Sequence, residues 1–332
     1  MKMKLIKSIV VIGDPHLNSA TPQSRVDDFA DSSIEKLHNL LNLCLEKGYD
    51  TVVALGDFFH KSTQPLIYMN RVLEVMNKFK QSGIDFYSIV GNSHDILYDK
   101  LENLNKSAIG LLFNAGVLKE LQMETFITKE GYKISLHGFH YPQPLEQVES
   151  RPTQSEVNIC VAHRFFNEPM FKDSITIDQL DSLGYNIYLF GHSHTPYDLE
   201  TYGQKLVIRP GRFMRGTADS YNKEGTQVFA DVISFNGSKD KPRITVVREI
   251  IKSKPASSIY NTQALTKSKN DKFLLDLSNK VDSLLDKMDI SSSSSTTTVY
   301  DVLDSLDIDV RIKNRVETYL QANGVFRVEH DI

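Results

Sequence analysis

The chain has 332 residues, 40% hydrophobic and 24% charged, the balance of a soluble protein with one large domain and something smaller, or two domains. Its net charge of −4 excludes a global basic field, so a polyanion must be held by a local patch or by metal ions. No apolar run reaches the roughly 18 residues of a membrane-spanning helix. Cys44 and Cys160 sit in apolar segments and read as buried free thiols, which places the chain in a reducing compartment, the cytoplasm. Met1–Gly13 starts like a secretion signal, but Lys7 and Ser8 interrupt its apolar run and no small-residue cleavage site follows; it reads as a first strand. Nine of the ten histidines lie at or before position 194, which confines imidazole chemistry to about the first two-thirds of the chain.

In chain order, Ser8–Ile12 is a short Val/Ile-rich run, the pattern of a buried strand. Ile34, Leu37, Leu41, Cys44 and Leu45 then recur at helical spacing, and Gly48 supplies a stop. Thr51–Leu55 is a second buried strand. Leu66, Met69, Leu73, Met76 and Phe79 mark a second amphipathic helix, between Pro65 and Gly83. Asp85–Val90 is a third strand. Strand, helix, strand, helix, strand argues for parallel strands with crossover helices. Leu101–Asn114 reads as helical, and Thr125–Phe139 as strands about a turn at Glu130–Gly131. Val157–Ala162 and Asn186–Phe190 are further buried strands, with a short helix at Thr176–Leu183 between them. Leu206–Ile208 leads into Arg209-Pro210-Gly211-Arg212. Gln227–Phe235 and Arg243–Ile250 form a hairpin expected to turn at Asn236–Gly237. Beyond about Lys252 a helical stripe runs from Phe273 to Met288, and residues 291–298 are all Ser or Thr, a flexible linker. Val299–Gly324 reads as one or two short helices.

The polar signals fall just past strand ends, the edge of an open α/β sheet where ligands bind. They are Asp14-Pro15-His16, Gly56-Asp57, Gly91-Asn92, His163 and Gly191-His192-Ser193-His194. Two carboxylates, one amide and four imidazoles, with no thiolate, suit Mn²⁺, Fe²⁺ or Zn²⁺. Seven ligands exceed what one ion with an open position needs, and suffice for two if a carboxylate bridges.

This series resembles the calcineurin-like metallophosphoesterases over about the first 215 residues, in the family's order. The resemblance implies a metallophosphoesterase-type four-layer α/β/β/α sandwich with a helical C-terminal extension. It divides the chain into a dimetal phosphoesterase domain at 1–218, a closing β-hairpin or small cap at 219–252 and a helical tail at 253–332. It also implies that Asp14, His16, Asp57 and His194 hold one metal, and that Asp57, Asn92, His163 and His192 hold the other. His94 is the expected catalytic histidine, protonating or stabilising the leaving oxygen. Gly56-Asp57-Phe58-Phe59-His60 resembles the SbcD-type repair and recombination nucleases of bacteria and phages, which adds His60 to the catalytic residues. Protein phosphatases of the superfamily carry an arginine shortly after the Gly-Asp pair; here Phe58-Phe59-His60-Lys61 follows instead.

One feature departs from the family. Ser93 separates Asn92 from His94, which are adjacent in the usual motif. Either the loop bulges and His94 keeps its reach, which we expect, or Ser93 takes the catalytic position; the metal ligands stand in both cases. Arg209, Arg212 and Arg215 lie in a loop resembling a family phosphate-contact segment. Lys61 and Arg164 follow His60 and His163 directly, and complete the expected DNA contacts.

The expected function is a Mn²⁺-dependent DNA exo/endonuclease with two divalent ions. The resemblance gives it an SMC-like (SbcC-type) ATPase partner, docked on Phe273–Met288, and a homodimer. A phosphodiesterase or phosphatase of small phosphoesters is the first alternative. A metal-binding DNA-end recognition subunit with disabled cleavage is the second.

Overall fold

The computed structural model describes residues 3–92, 94–143, 153–171, 174–216 and 227–260, together with 313 and 317. The chain divides into two compact units, Met1–Thr262 and Gln263–Ile332, and the fold below is that of the first. Ser93, the stripe Phe273–Met288 and the linker 291–298 lie outside the described residues.

The N-terminal run is two strands rather than one. β1 (Lys4–Ile6) and β2 (Ser8–Ile12) part at Lys7, whose exposed side chain interrupts the apolar run, and they enter different sheets. After β2 come α1 (Phe29–Lys47), β3 (Thr51–Ala54), α2 (Leu66–Gln81) and β4 (Asp85–Ser88). Asp28 caps α1 by accepting the Asp31 N–H at 2.9 Å. The helix expected over Leu101–Asn114 is split. A 3₁₀ segment, Leu101–Lys106, ends at Ser107, whose hydroxyl accepts the Gly110 N–H and starts α3 (Ala108–Asn114). There follow β5 (Lys119–Glu120), β6 (Met123–Thr128), β7 (Lys133–Phe139), β8 (Val157–Ala162), α4 (Ile177–Leu183) and β9 (Ile187–Phe190). The described fold closes with β10 (Glu200–Tyr202), β11 (Lys205–Ile208), β12 (Val228–Ser238), β13 (Lys241–Ile251) and α5 (Ala256–Ile259).

One sheet has the order β13–β12–β2–β3–β4–β5, the other β1–β6–β7–β8–β9–β11–β10. β2, β3, β4 and β5 are parallel, as are β7, β8, β9 and β11. β2 is buried on both faces. Val10 and Ile12 pack under α1 and α2, while Ile9 and Val11 meet Ile134, Ile159 and Ile187 of the second sheet. On the far side, Cys160, Tyr188 and Phe190 pack against Leu180 of α4. The layers are therefore α/β/β/α, and both cysteines are buried free thiols.

The hairpin at 228–251 is the edge of the first sheet, with β12 antiparallel to β2. Its turn is Lys239–Asp240, not Asn236–Gly237. The apolar pairs Val232↔Val247 and Phe235↔Ile244 set the register, and the ladder continues through Gly237↔Pro242 to Ser238↔Lys241.

Candidate metal centre

Each polar signal follows a strand. Asp14 and His16 come after β2, Asp57 after β3, Asn92 and His94 after β4, His163 after β8, and His192 and His194 after β9. Parallel strands bring these ends to one edge, and the two stacked sheets face their edges to each other. Backbone groups then lock the loops. The His16 N–H donates to the Asp57 carbonyl at 2.9 Å, and the Asn92 N–H to Asp57 Oδ1 at 3.0 Å. The His192 N–H donates to both carboxylate oxygens of Asp14 at 3.1 Å.

Three of the residues are in the left-handed region without being glycine: His16 (φ 45°), Asp57 (φ 47°) and His192 (φ 78°). Such backbone costs of order 1–3 kcal/mol per residue and persists where surrounding structure over-determines it. Gly191 does not supply the unusual angle at the His-Ser-His turn; His192 does. Gly191 supplies space, since a Cβ there would lie 2.3 Å from the Leu55 carbonyl oxygen.

All seven residues expected as ligands converge. Asp14, His16 and His194 bring ligand atoms within 4.8 Å of one another, and so do Asp57, His163 and His192. The Nε2 atoms of His16 and His194 are 2.8 Å apart. Asp57 Oδ2 lies 3.8 Å from His16 Nε2 and 3.3 Å from His163 Nε2, so this one oxygen stands between the two clusters. Asn92 Nδ2 is 3.5 Å from His192 Nδ1. His163 Nδ1 is 2.8 Å from the Leu55 carbonyl, which can only accept; Nδ1 therefore carries a proton, and Nε2 is the nitrogen turned to Asp57. That buried Nε2 makes no hydrogen bond among the described residues. A buried imidazole nitrogen facing a carboxylate, in a set of oxygen and imidazole donors, fits a divalent cation, which takes the place of the proton between them.

The charges fit as well. Burial pushes Asp14 up to about 7, against the pull of His163. Burial also disfavours the charged forms of Asp57 and His163, but their mutual attraction outweighs it. Asp57 stays below the usual carboxylate range, and His163, drawn by Asp57 and Asp14, is raised to about 10. Burial, with Arg212 alongside, lowers His194 to about 3; His16 is lowered by burial and by its neighbouring imidazoles. Without cations, protons balance this centre; a bound cation displaces them.

His60 and His94 flank the first cluster. Their rings stack at 5.0 Å, and the His94 ring meets that of His16 edge-on at 4.9 Å. His94 Nδ1 is 2.8 Å from the His60 carbonyl. Lys61 and Arg212 line the same cleft as His16, His60, His94 and His194. Arg212 Nη2 contacts His194 Nδ1. Arg164 lies over the Tyr141 ring at 4.6 Å and donates to the Gln143 carbonyl.

Arg209 turns into the protein and does not line the cleft of His16, His60, His94 and His194. It is buried, donates to Glu200 Oε2 and the Phe166 carbonyl, and sits 3.4 Å over the Tyr197 ring; it holds β10 and β11 to the loop after β8. Arg215 is also buried, against α1 rather than in the metal cleft.

Two further residues hold the site, and sequence reading gave neither a role there. Asp95 is fully buried; its Oδ1 accepts the Phe59 N–H at 3.1 Å and its Oδ2 the Gly91 N–H at 2.8 Å, tying the Asp57 loop to the Asn92 loop. His140 Nδ1 accepts the Val90 N–H at 2.9 Å. An acid directly after His94 was the available signal for Asp95; His140 offered none.

Comparison with known proteins decides the family. The model of the calcineurin-like phosphoesterases matches residues 7–196. The chain belongs to this family. The fold of these phosphoesterases implies divalent metal ions; the two clusters are candidate positions, and His16, His60 and His94 form a third group whose ligand atoms lie within 4.8 Å of one another. The DNA double-strand break repair protein Mre11 of Nanoarchaeum equitans is 23% identical over 241 residues, 65% of this chain and 64% of that protein. The protein of the same name from Archaeoglobus fulgidus is 26% identical over 210 residues, 58% of this chain and 46% of that protein. The phosphoesterase thus matches less than two thirds of either relative's length. Among solved structures, the calcineurin-like phosphoesterase YfkN from Bacillus subtilis aligns with a TM-score of 0.44 and 14% identity, over 82% of this chain and 98% of that one. A dimetal phosphatase from Danio rerio aligns with a TM-score of 0.45 and 11% identity, over 76% and 100%. Among the described residues, no helix of the phosphoesterase is long and apolar enough to cross a membrane.

Proposed function

We propose that this phosphoesterase is a DNA nuclease that hydrolyses phosphodiester bonds with two divalent cations, Mn²⁺ foremost. Asp14, His16, Asp57 and His194 hold one cation, and Asp57, Asn92, His163 and His192 the other. The observation that carries this reading is Asp57 Oδ2, set between an imidazole of each cluster. The relatives' role in DNA double-strand break repair favours DNA over a small phosphoester.

Two cations held by these residues would supply Lewis-acid stabilisation of a displacement at phosphorus and would offset the phosphodiester's charge. The chain's own groups do the rest. The His60 carbonyl accepts from His94 Nδ1, so Nδ1 keeps its proton; as an imidazolium the ring carries a second proton on Nε2, gives it to the leaving oxygen and is left neutral. Stacking on His60 fixes the plane of that ring. Arg212 and Lys61, on the wall of the same cleft, contact phosphate oxygens, and Arg164 binds DNA farther out. The tail beyond residue 252 docks an SMC-like ATPase through Phe273–Met288, and the protein acts as a homodimer in the cytoplasm.

The test is turnover of linear duplex DNA with Mn²⁺ beside bis(p-nitrophenyl) phosphate. We expect DNA to be degraded and EDTA to abolish it. Hydrolysis of the small diester with intact DNA refutes the nuclease reading and favours a small-molecule phosphodiesterase. Metal uptake with no turnover of either substrate makes the protein an end-recognition subunit.

A further inference from the structure

A second concentration of buried charge lies against α1, away from the metal clusters. The segment after β13 crosses α1 at Ser32, Glu35, Lys36 and Asn39, and a small cleft open to solvent remains between them. Five cationic side chains line it (Arg25, Lys36, Arg215, Lys252 and Lys254); the carboxylates beside them are Glu35 and Asp27, which lie 3.4 and 3.9 Å from the Lys254 ammonium at the exposed rim. Arg25, Lys36 and Arg215 are each at least nine-tenths buried.

Arg25 is neutralised, since Nε and Nη2 donate to Asp27 at 2.8 and 2.7 Å. Lys36 is not. Its ammonium donates to the carbonyls of Ile251 and Lys252 and to the Ser253 hydroxyl, all neutral. No carboxylate lies within ion-pair distance of it among the described residues. A buried charge without a counter-charge is costly, and a cavity that gathers several of one sign is matched by an ion of the other. Burial and the nearby Arg215 lower the Lys36 ammonium to about 7, the response of a cation short of negative charge. Guanidinium and ammonium donors together suit a tetrahedral oxyanion.

We propose that this cavity is a phosphate-binding site, with Arg215 and Lys254 as donors to the oxyanion and Lys36 supplying charge beneath it. The segment from Arg212, against His194, to Arg215 spans three residues, at most roughly 11 Å between their Cα atoms, so one short loop serves both sites. The ligand is either a free phosphate ion or a phosphate of a nucleic-acid strand outside the cleavage position.

The experiment is thermal melting of the metal-free full chain titrated with inorganic phosphate, for wild type, Lys36→Met and Lys254→Glu. At roughly tenfold excess over Kd, wild-type Tm is expected to rise by about 3–5 °C, and each variant by less than about 1 °C. No rise in wild type, or an equal rise in all three, overturns the proposal. If Lys36→Met does not melt cooperatively, Lys254→Glu decides, since the Lys254 side chain is 42% exposed and its loss leaves the core intact. Competition identifies the source. If phosphate weakens wild-type affinity for a single-stranded oligonucleotide tenfold but not that of Lys254→Glu, the site takes a strand phosphate. If it leaves oligonucleotide affinity unchanged while raising Tm, the site takes the free ion. Neither arm requires cleavage, so failure here is distinct from failure of the nuclease reading.

Discussion

The metal centre and the cavity beside α1 hold buried charge of opposite sign, at the two ends of the short segment Arg212–Arg215. In both, the protein's own hydrogen bonds orient charged groups without neutralising them. The Asp14 carboxylate accepts from the His192 backbone, and the Lys36 ammonium donates to backbone carbonyls. In both, protons make up the deficit. Burial raises Asp14 to about 7 and, with Arg215, lowers Lys36 to about 7, so each is drawn towards its uncharged form. The difference lies in geometry. At the centre, imidazole nitrogens converge between carboxylates at separations a cation closes; at the cavity, the cationic side chains stand around open space. The sign of the unmatched charge thus gives the sign of the expected ligand, and the spacing gives its class.

The strongest way to break the comparison is Asp57→Asn. Asparagine tolerates the left-handed backbone at this position, so the fold survives. The substitution removes the one charge placed between the clusters. We expect turnover to fall by about 10³-fold or more, and bound metal, measured by elemental analysis, to drop below two ions per chain. Two ions with wild-type turnover would show that Asp57 does not bridge.

His94→Ala separates chemistry from metal binding. His94 belongs to neither expected ligand set, so metal content should be unchanged while turnover falls by about 10²–10⁴-fold, the usual worth of a positioned acid. Intact turnover with full metal content removes His94 from the mechanism.

The limits of sequence reading follow from the same contrast. The seven candidate ligands were legible because a polar residue just past a strand end, after a glycine in every case but His163, is a local pattern, and parallel strands carry such patterns to a shared edge. What sequence missed is set by distant partners. Arg209 looks like any loop arginine until Glu200, Phe166 and Tyr197 close around it. The break at Lys7 depends on which sheet each half joins, and periodicity does not encode that. The hairpin turn moved because pairing of apolar residues outweighed the local preference of Asn-Gly. The α1 cavity had no motif, since its cations come from residues 25, 36, 215, 252 and 254 and meet only in the fold.

Asp95 sharpens the account of the centre at a smaller scale. Asn in its place keeps one acceptor and opposes the second N–H donor with an amide N–H. Leaving one buried donor unpaired costs about 1–3 kcal/mol, read from urea unfolding. The loops of Asp57 and Asn92 then hold less firmly, and metal affinity should fall by about 10–100-fold. A change in stability with no change in affinity would make Asp95 a fold residue alone. A change in neither would remove it from the support of the site.

The smallest effect concerns the cavity and is a slope. Lys36 has a folded value of about 7 against 10.5 when free, set by burial, by Arg215 and, in the opposite sense, by Glu35; Arg25, Lys252 and Lys254 complete the charged wall. Between those values the unfolded chain binds a proton that the folded chain does not, so stability attributable to Lys36 rises with pH across that window. It is fully present above 10.5 and is lost as pH falls through 7. Urea midpoints of metal-free wild type and Lys36→Met, taken at several points in the window, isolate it by difference, and wild type should gain on the variant as pH rises. Bound phosphate holds the Lys36 proton in the folded state and returns its pKa towards the free value. Adding phosphate should therefore flatten the slope in wild type and leave Lys36→Met unchanged. A difference between the two proteins that is independent of pH, or a slope indifferent to phosphate, would mean that the cations beside α1 are matched by the protein itself.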